Sequence, residues 1–184
     1  MNKKHHDIKI TPMQSSMLSA VAEIASMTLG SAFVDEEILK NDINLCAMID
    51  TEIVAYATTK YIGSEYLKKI LHDKELKELE AEKQVGYIDS IAVNENYAGK
   101  GIGTLLLKST LLKLKQDNIN YAIMAAWRNG TEVNIKALAL REGFKEEFEI
   151  ENFWKEDSIK HNFDCTACGK PPCLCSAVIF TKKL

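Results

Sequence analysis

The sequence is short of several things at once. No apolar run approaches the ~20 residues that a membrane-spanning helix needs, so no span is expected in its 184 residues. Three prolines and nine glycines are too few for a collagen-like chain, and no internal repeat or low-complexity stretch interrupts the sequence. A basic surplus is also missing. The 23 Lys and Arg against 26 Asp and Glu leave a formal net charge of −3, which argues against a general nucleic-acid binder. The opening MNKKHHDIKI lacks the ~7–15-residue apolar core of a secretory signal. The cytosol is therefore the expected compartment, with neither a membrane nor nucleic acid as partner. What is present is ordinary for a folded domain: 46% hydrophobic and 27% charged residues, which excludes wholesale disorder. A length in the range of roughly 100–200 residues leads to one domain over 1–184, long enough to bury a sizeable core.

Patterning divides the chain into alternating elements. Asp7–Thr11 (DIKIT) reads as a short strand stopped at Pro12. Met13–Leu29 carries Met17, Val21, Ile24 and Thr28 at helical spacing, with Gly30 as its C-terminal stop. Asp35–Asn41 reads as a short helix, and Leu45–Ile49 with Ile53–Lys60 as a hairpin turning at Asp50, Thr51 and Glu52. From Gly63 to Lys83, Leu67, Ile70, Leu71, Leu76 and Leu79 make one apolar stripe among many Lys and Glu, as in a partly exposed helical insertion. Val85–Val93 is β-rich, Gly101–Gln116 helical, Tyr121–Trp127 a buried strand and Thr131–Glu142 a helix ended by Gly143. Phe144–Trp154 and Ala177–Lys182 are the last two strands. Strands alternating with helices imply an α/β (α+β) domain, with helices covering a mixed central sheet.

The most informative stretch is Tyr87–Leu107, YIDSIAVNENYAGKGIGTLLL. A strand runs through a polar turn into a glycine cluster and then an amphipathic helix. Gly99, Gly101 and Gly103 let backbone turn into the helix and let a ligand approach closely. The first helical N–H groups lack internal partners, and the helix dipole adds partial positive charge. A phosphate or pyrophosphate fits such a place, with Lys100 adding charge. Glycine spacing alone also fits a plain tight turn. The ATPase loop GxxxxGK[ST] and the dinucleotide fingerprint GxGxxG both fit poorly, because the spacing is GKGIG and no Lys-Ser/Thr pair follows.

The run IAVNENYAGKGIGTLLL resembles the acyl-CoA-binding core of the Gcn5-related N-acetyltransferase (GNAT) superfamily, whose motif is R/Q-x-x-G-x-G/A. Ala98, Gly99, Lys100, Gly101, Ile102 and Gly103 occupy the six positions, with Ala98 in place of the usual Arg or Gln. Downstream, NIKALALREGF is similar to the superfamily's Asn-led helix ending in Gly-Phe, and Asn134 matches the residue that contacts the pantetheine arm. The Tyr often found shortly before that Gly-Phe is absent; the region reads Ala139, Leu140, Arg141, Glu142.

The resemblance implies acetyl transfer from acetyl-CoA to the amine of a small molecule or protein, with a homodimer left open. It makes Ile91, Ala92 and Val93 main-chain contacts for the pantetheine arm and thioester at a bulged strand end. It makes Gly99, Lys100, Gly101, Ile102, Gly103 and Thr104 the pyrophosphate cradle. Asp89 interrupts an apolar strand and is the expected base for the acceptor amine; the alternative is a solvated or hydrogen-bonded strand carboxylate. Tyr87, Tyr97 and Tyr121 are proton donors by residue type, and each also fits plain packing. A domain that binds acyl-CoA without turnover, as a sensor or partner module, is the rival reading.

Five cysteines remain. Cys46 sits in an apolar strand as a small buried hydrophobe. Cys165, Cys168, Cys173 and Cys175 crowd into HNFDCTACGKPPCLCSAV. Four thiolates in eleven positions of a cytosolic chain favour one structural Zn²⁺. Disulfides, redox-active thiols and an iron–sulfur cluster are the alternatives. The knuckle, over 161–176, falls in the last β-hairpin, which in the resembled fold borders the acceptor side.

Overall fold

A computed structural model of the chain describes residues 7–30, 34 and 36–184. Its eight strands form one sheet in the order β1 (Ile8–Pro12), β2 (Ile43–Ile49), β3 (Glu52–Ile62), β4 (Val85–Val93), β5 (Tyr121–Asn129), β8 (Ser176–Lys183), β7 (Lys145–Ile150), with the two-residue β6 (Glu132–Val133) beside β5. All neighbours are antiparallel except β4 and β5. The sheet is mixed, as the alternation of elements implies.

Helices cover both faces. On one, α1 (Leu18–Thr28) packs Val21, Ile24 and Ala25 on Cys46, Tyr56 and Ala92, while α2 (Ser64–Leu71) and α3 (Lys77–Glu80) pack Leu67, Ile70, Leu71 and Leu79 on Val85, Tyr87 and Ile179. On the other, α4 (Ile102–Gln116) buries Ile102, Leu106, Leu107, Leu111 and Leu114, one broad stripe at helical spacing. They meet Leu45, Ala57, Ile88, Met124 and Phe180 of the sheet. Gly86 lets α4 come close, since a Cβ there would sit 2.4 Å from Leu114 Cδ2. The insertion after Gly63 is thus helical and amphipathic, its apolar stripe buried and its Lys and Glu outward.

Several boundaries differ from the sequence expectation. The first helix begins later, after a 3₁₀ turn at Ser15–Met17, and Gly30 follows it with φ of 109°. The short second helix is a 3₁₀ turn, Glu36–Lys40; its expected first residue, Asp35, lies outside the described residues. The expected helix Thr131–Glu142 is only α5, Lys136–Arg141. Gly130, at φ of 59°, turns Glu132 and Val133 back onto Asn129 and Arg128. The β-branched Val133 suits that short ladder, and Ile135, at φ of 66°, turns the chain into α5. Asn134 therefore precedes the helix, its N–H donating to Trp127 O at 2.9 Å. The strand expected to reach Trp154 stops at Ile150. Asn152 turns at φ of 53°, and α6 (Lys155–His161) follows with Glu156 and Asp157 in its first turn and Lys160 and His161 in its last. Those charges suit the helix dipole at both ends.

Candidate active site

The site begins where the sheet opens. β4 and β5 pair only at Gly86, Tyr87 and Ile88 against Ala122, Ile123 and Met124. Beyond Ile88 the edge of β4 that faces β5 has no strand partner among the described residues. A cavity of about 1220 Å³ occupies this gap and is lined from both faces. Tyr56 and Tyr87 come from the α1–α2 side, and Ile88, Met124 and Ile135 from the α4–α5 side. A molecule in the gap therefore reaches both sides of the sheet.

The register against β3 moves from Thr58–Ser90 to Thr59–Ile88, so Asp89 is the extra residue of a β-bulge. The bulge turns its carboxylate outward, half-exposed, to an ion pair with Lys60 Nζ at 3.1 Å. Burial works against charge on Lys60, but the Asp89 carboxylate, aided by Tyr66 and Asp157, outweighs it and holds the ammonium above its ordinary value. The next residue, Ser90, shares a 2.8 Å hydrogen bond with Thr58. Burial raises the phenols of Tyr56, to about 12, and Tyr87, well above its usual value, so both stay protonated.

Of the residues expected from sequence, Asp89, Ile91 and Asn134 line the cavity. Ala92, Val93 and the glycine loop are not among its walls. The loop lies at the end of β4, where Gly99 (φ 72°) and Gly101 (φ 80°) take left-handed backbone that L side chains rarely adopt. Gly101 caps α4, and no other atom lies within 4 Å of where a Cβ would sit on Gly99 or Gly101. The mouth of the loop is thus open, with helix N–H groups exposed at its end. Lys100 turns back, donating to Asn96 O at 3.1 Å and lying 4.5 Å from the Tyr97 ring. Tyr97 itself donates to Glu52 at 2.6 Å, and Tyr121 opens the interior strand β5 with Lys183 Nζ 5.9 Å from its ring. Only Tyr87 of the three tyrosines considered from sequence lines the cavity.

The four knuckle sulfurs lie within 4.8 Å of one another. Cys165–Cys175, Cys168–Cys175 and Cys168–Cys173 are separated by 3.7, 3.3 and 3.9 Å. A bonded pair would stand at ~2.0 Å, whereas Zn–S bonds of ~2.3 Å in a tetrahedron put sulfurs about 3.8 Å apart. All are free thiols, and the donor set and spacing suit a tetrahedral zinc. Burial raises the Cys173 and Cys175 thiols, the latter to about 11. Neighbouring elements hold the cluster. Cys173 N–H donates to Ser158 Oγ of α6 at 2.8 Å, Phe153 N–H donates to Cys175 O at 3.0 Å, and Gly30 bridges to Cys165. Cys165 and Cys173 are buried and also line the cavity.

Sequence reasoning missed Lys60, Tyr66, Trp154 and His161 as cavity walls. Lys60 had a signal, since it breaks an apolar strand as Asp89 does. The others depend on α2 and α6 folding over the same opening.

The chain matches the model of the acetyltransferase (GNAT) family over residues 13–158. It belongs to that family. No curated protein sequence matches it. Among solved structures it is similar to Ard1 from Thermoplasma volcanium (11% identity, 96% of this chain and 97% of that one, TM-score 0.69). It is also similar to a GNAT family acetyltransferase from Elizabethkingia anophelis with acetyl-CoA bound (18%, 98% and 100%, TM-score 0.61). A third likeness is to the polyamine N-acetyltransferase of Drosophila melanogaster, described as forming N-acetylagmatine (13%, 97% and 100%, TM-score 0.67). The fold of this GNAT protein is shared across all three. No helix among its described residues is long and apolar enough to cross a membrane.

Proposed function

We propose that this protein transfers an acetyl group from acetyl-CoA to a primary amine by direct attack on the thioester. The observation that carries the proposal is the gap between β4 and β5, together with the open glycine loop and helix N-terminus that follow the end of β4. Such a loop suits the pyrophosphate, and the unpaired β4 edge at Ile91–Val93 suits the pantetheine arm and the thioester carbonyl. Asn134 lines the gap from the opposite side. In the reaction the amine nitrogen forms a bond to the carbonyl carbon, the C–S bond breaks, and the nitrogen gives up a proton. Asp89, facing the cavity from its bulge, supports the role of base for that proton. Tyr87, protonated and in the same cavity, is the group we assign to protonate the thiolate. Holding both reactants in one gap supplies much of the acceleration.

We further propose that Cys165, Cys168, Cys173 and Cys175 bind a structural Zn²⁺ that fixes the acceptor-side wall. The rival reading, an acyl-CoA-binding module without turnover, draws on the Lys60–Asp89 ion pair, which engages the base in the free protein. Thiol release from acetyl-CoA over a panel of amines separates them. The panel takes agmatine and a polyamine from the Drosophila likeness and adds peptides with free α-amines. Release with at least one amine supports the enzyme; CoA binding with release for none supports the module.

A further inference from the structure

We infer that Arg141 clamps the pyrophosphate of acyl-CoA over the start of α4, an assignment that rests on the acyl-CoA use proposed above. Three contacts fix α5 beside the first two turns of α4. Leu138 packs toward Gly103, its Cδ2 at ordinary van der Waals distance, 3.7 Å, from where a Cβ at 103 would sit. Arg141 Nη2 donates to Thr104 Oγ1 at 2.8 Å. Lys108 Nζ stands 3.7 Å from Glu142 Oε1. The guanidinium is thus held against the helix end, although it comes from a segment 37 residues away in sequence.

The chemistry at that end is incomplete without it. Leu105 N–H is the first to find an acceptor within the α4 turn, Gly101 O at 3.1 Å, so the preceding N–H groups open toward the loop. Lys100, the cation inside the loop, is engaged by Asn96 O and the Tyr97 ring instead. Arg141 carries five donors in a planar fork. Its side chain is 62% exposed, with Nη2 on Thr104 Oγ1 and Nε 4.0 Å from Glu142 Oε1, a carboxylate shared with Lys108; the exposed outer side of the fork is left for a phosphate. The helix end supplies neutral N–H donors and Arg141 supplies the full charge that a diphosphate requires.

Binding of CoA, dephospho-CoA and pantetheine to the wild type and to Arg141→Ala, by calorimetry, tests the assignment. The variant is expected to bind CoA and dephospho-CoA about tenfold more weakly, the loss of one charge-assisted contact, and pantetheine unchanged. Arg141→Lys should recover part of the loss, because a point charge remains without the fork. Unchanged CoA binding in Arg141→Ala overturns the assignment. So does a loss confined to CoA, which would move the contact to the 3′-phosphate, and so does an equal loss for pantetheine, which would make Arg141 merely structural. A wild type that binds no CoA instead removes the acyl-CoA reading on which the assignment stands.

Discussion

The glycine loop and the cavity beside it are built in opposite ways. The glycine-loop end comes from one continuous stretch, β4 through the first turns of α4, and its main feature is backbone: left-handed glycines and open helix N–H groups. The cavity, proposed above to take the acceptor, is assembled from side chains of segments far apart, with Lys60 on β3, Asp89 on β4, Tyr66 on α2, Trp154 and His161 around α6, and Cys165 and Cys173 of the knuckle. A backbone site tolerates changes of side chain and needs only its local fold. An assembled site depends on whatever holds its pieces together. Here the knuckle is tied to α6 through Ser158 and to the end of α1 through Gly30.

The sharpest break of this contrast is loss of the proposed zinc site. Cys168→Ser, at the exposed member of the cluster, is expected to lower bound zinc and to reduce the melting temperature by about 10 °C, as for a loss of several kcal/mol in a chain of this size. Metal content by mass spectrometry and a thermal scan check both. The KM for the amine should rise while the KM for acetyl-CoA stays within twofold. Unchanged zinc content in the variant would sink the metal assignment, and an equal rise in both KM values would dissolve the division between the two ends.

That division also explains what the sequence made legible. Val85–Val93 coincides with β4, because its β-branched residues are covered on both faces up to Ile88 and nothing competes with the strand. The α4 stripe and the glycine loop are equally local, so spacing alone located them. The helix expected at Thr131–Glu142 failed because Gly130 turns the chain and Glu132–Val133 pair back on β5, and apolar spacing does not weigh that competition. α6 has only a faint stripe, and its signal lay in acidic and basic ends. The bulge at Asp89 is a matter of register between β3 and β4, which neither strand reveals alone.

Asp89→Asn is the next test in size. If the carboxylate accepts the amine proton, kcat should fall about 10²-fold with the affinity for CoA unchanged, since no part of the loop is touched. Steady-state rates with the best amine, together with CoA binding, read both quantities. Undiminished kcat removes Asp89 from the reaction and leaves it as the partner of Lys60. Lys60→Met sharpens the result, because it releases the carboxylate from its ion pair while leaving the base in place.

Gly30→Ala reaches the acceptor end from a distance. A Cβ there would lie 2.1 Å from the Asp164 carbonyl oxygen, on backbone at φ of 109°. Neither group is a flexible side chain, so the α1 end and the knuckle must move apart, at a cost of about 2–3 kcal/mol. Denaturant unfolding measures that loss. The KM for the amine is expected to rise and that for acetyl-CoA to hold, although the substituted residue touches neither reactant. A variant that keeps wild-type stability would show that the knuckle does not rest on α1.

The smallest effect is expected where the sequence pointed most directly to charge. Lys100 sits inside the loop, yet its ammonium hydrogen-bonds Asn96 O and lies over the Tyr97 ring. Lys100→Ala removes neither the glycines nor the helix end, so the KM for acetyl-CoA should change less than about twofold, in the range of an exposed, solvent-screened charge. Set beside Arg141→Ala, this comparison isolates where the loop's charge comes from. A large rise in KM for Lys100→Ala would mean that the lysine leaves Tyr97 when the diphosphate arrives, and that the loop's own cation, rather than one delivered by α5, neutralises it.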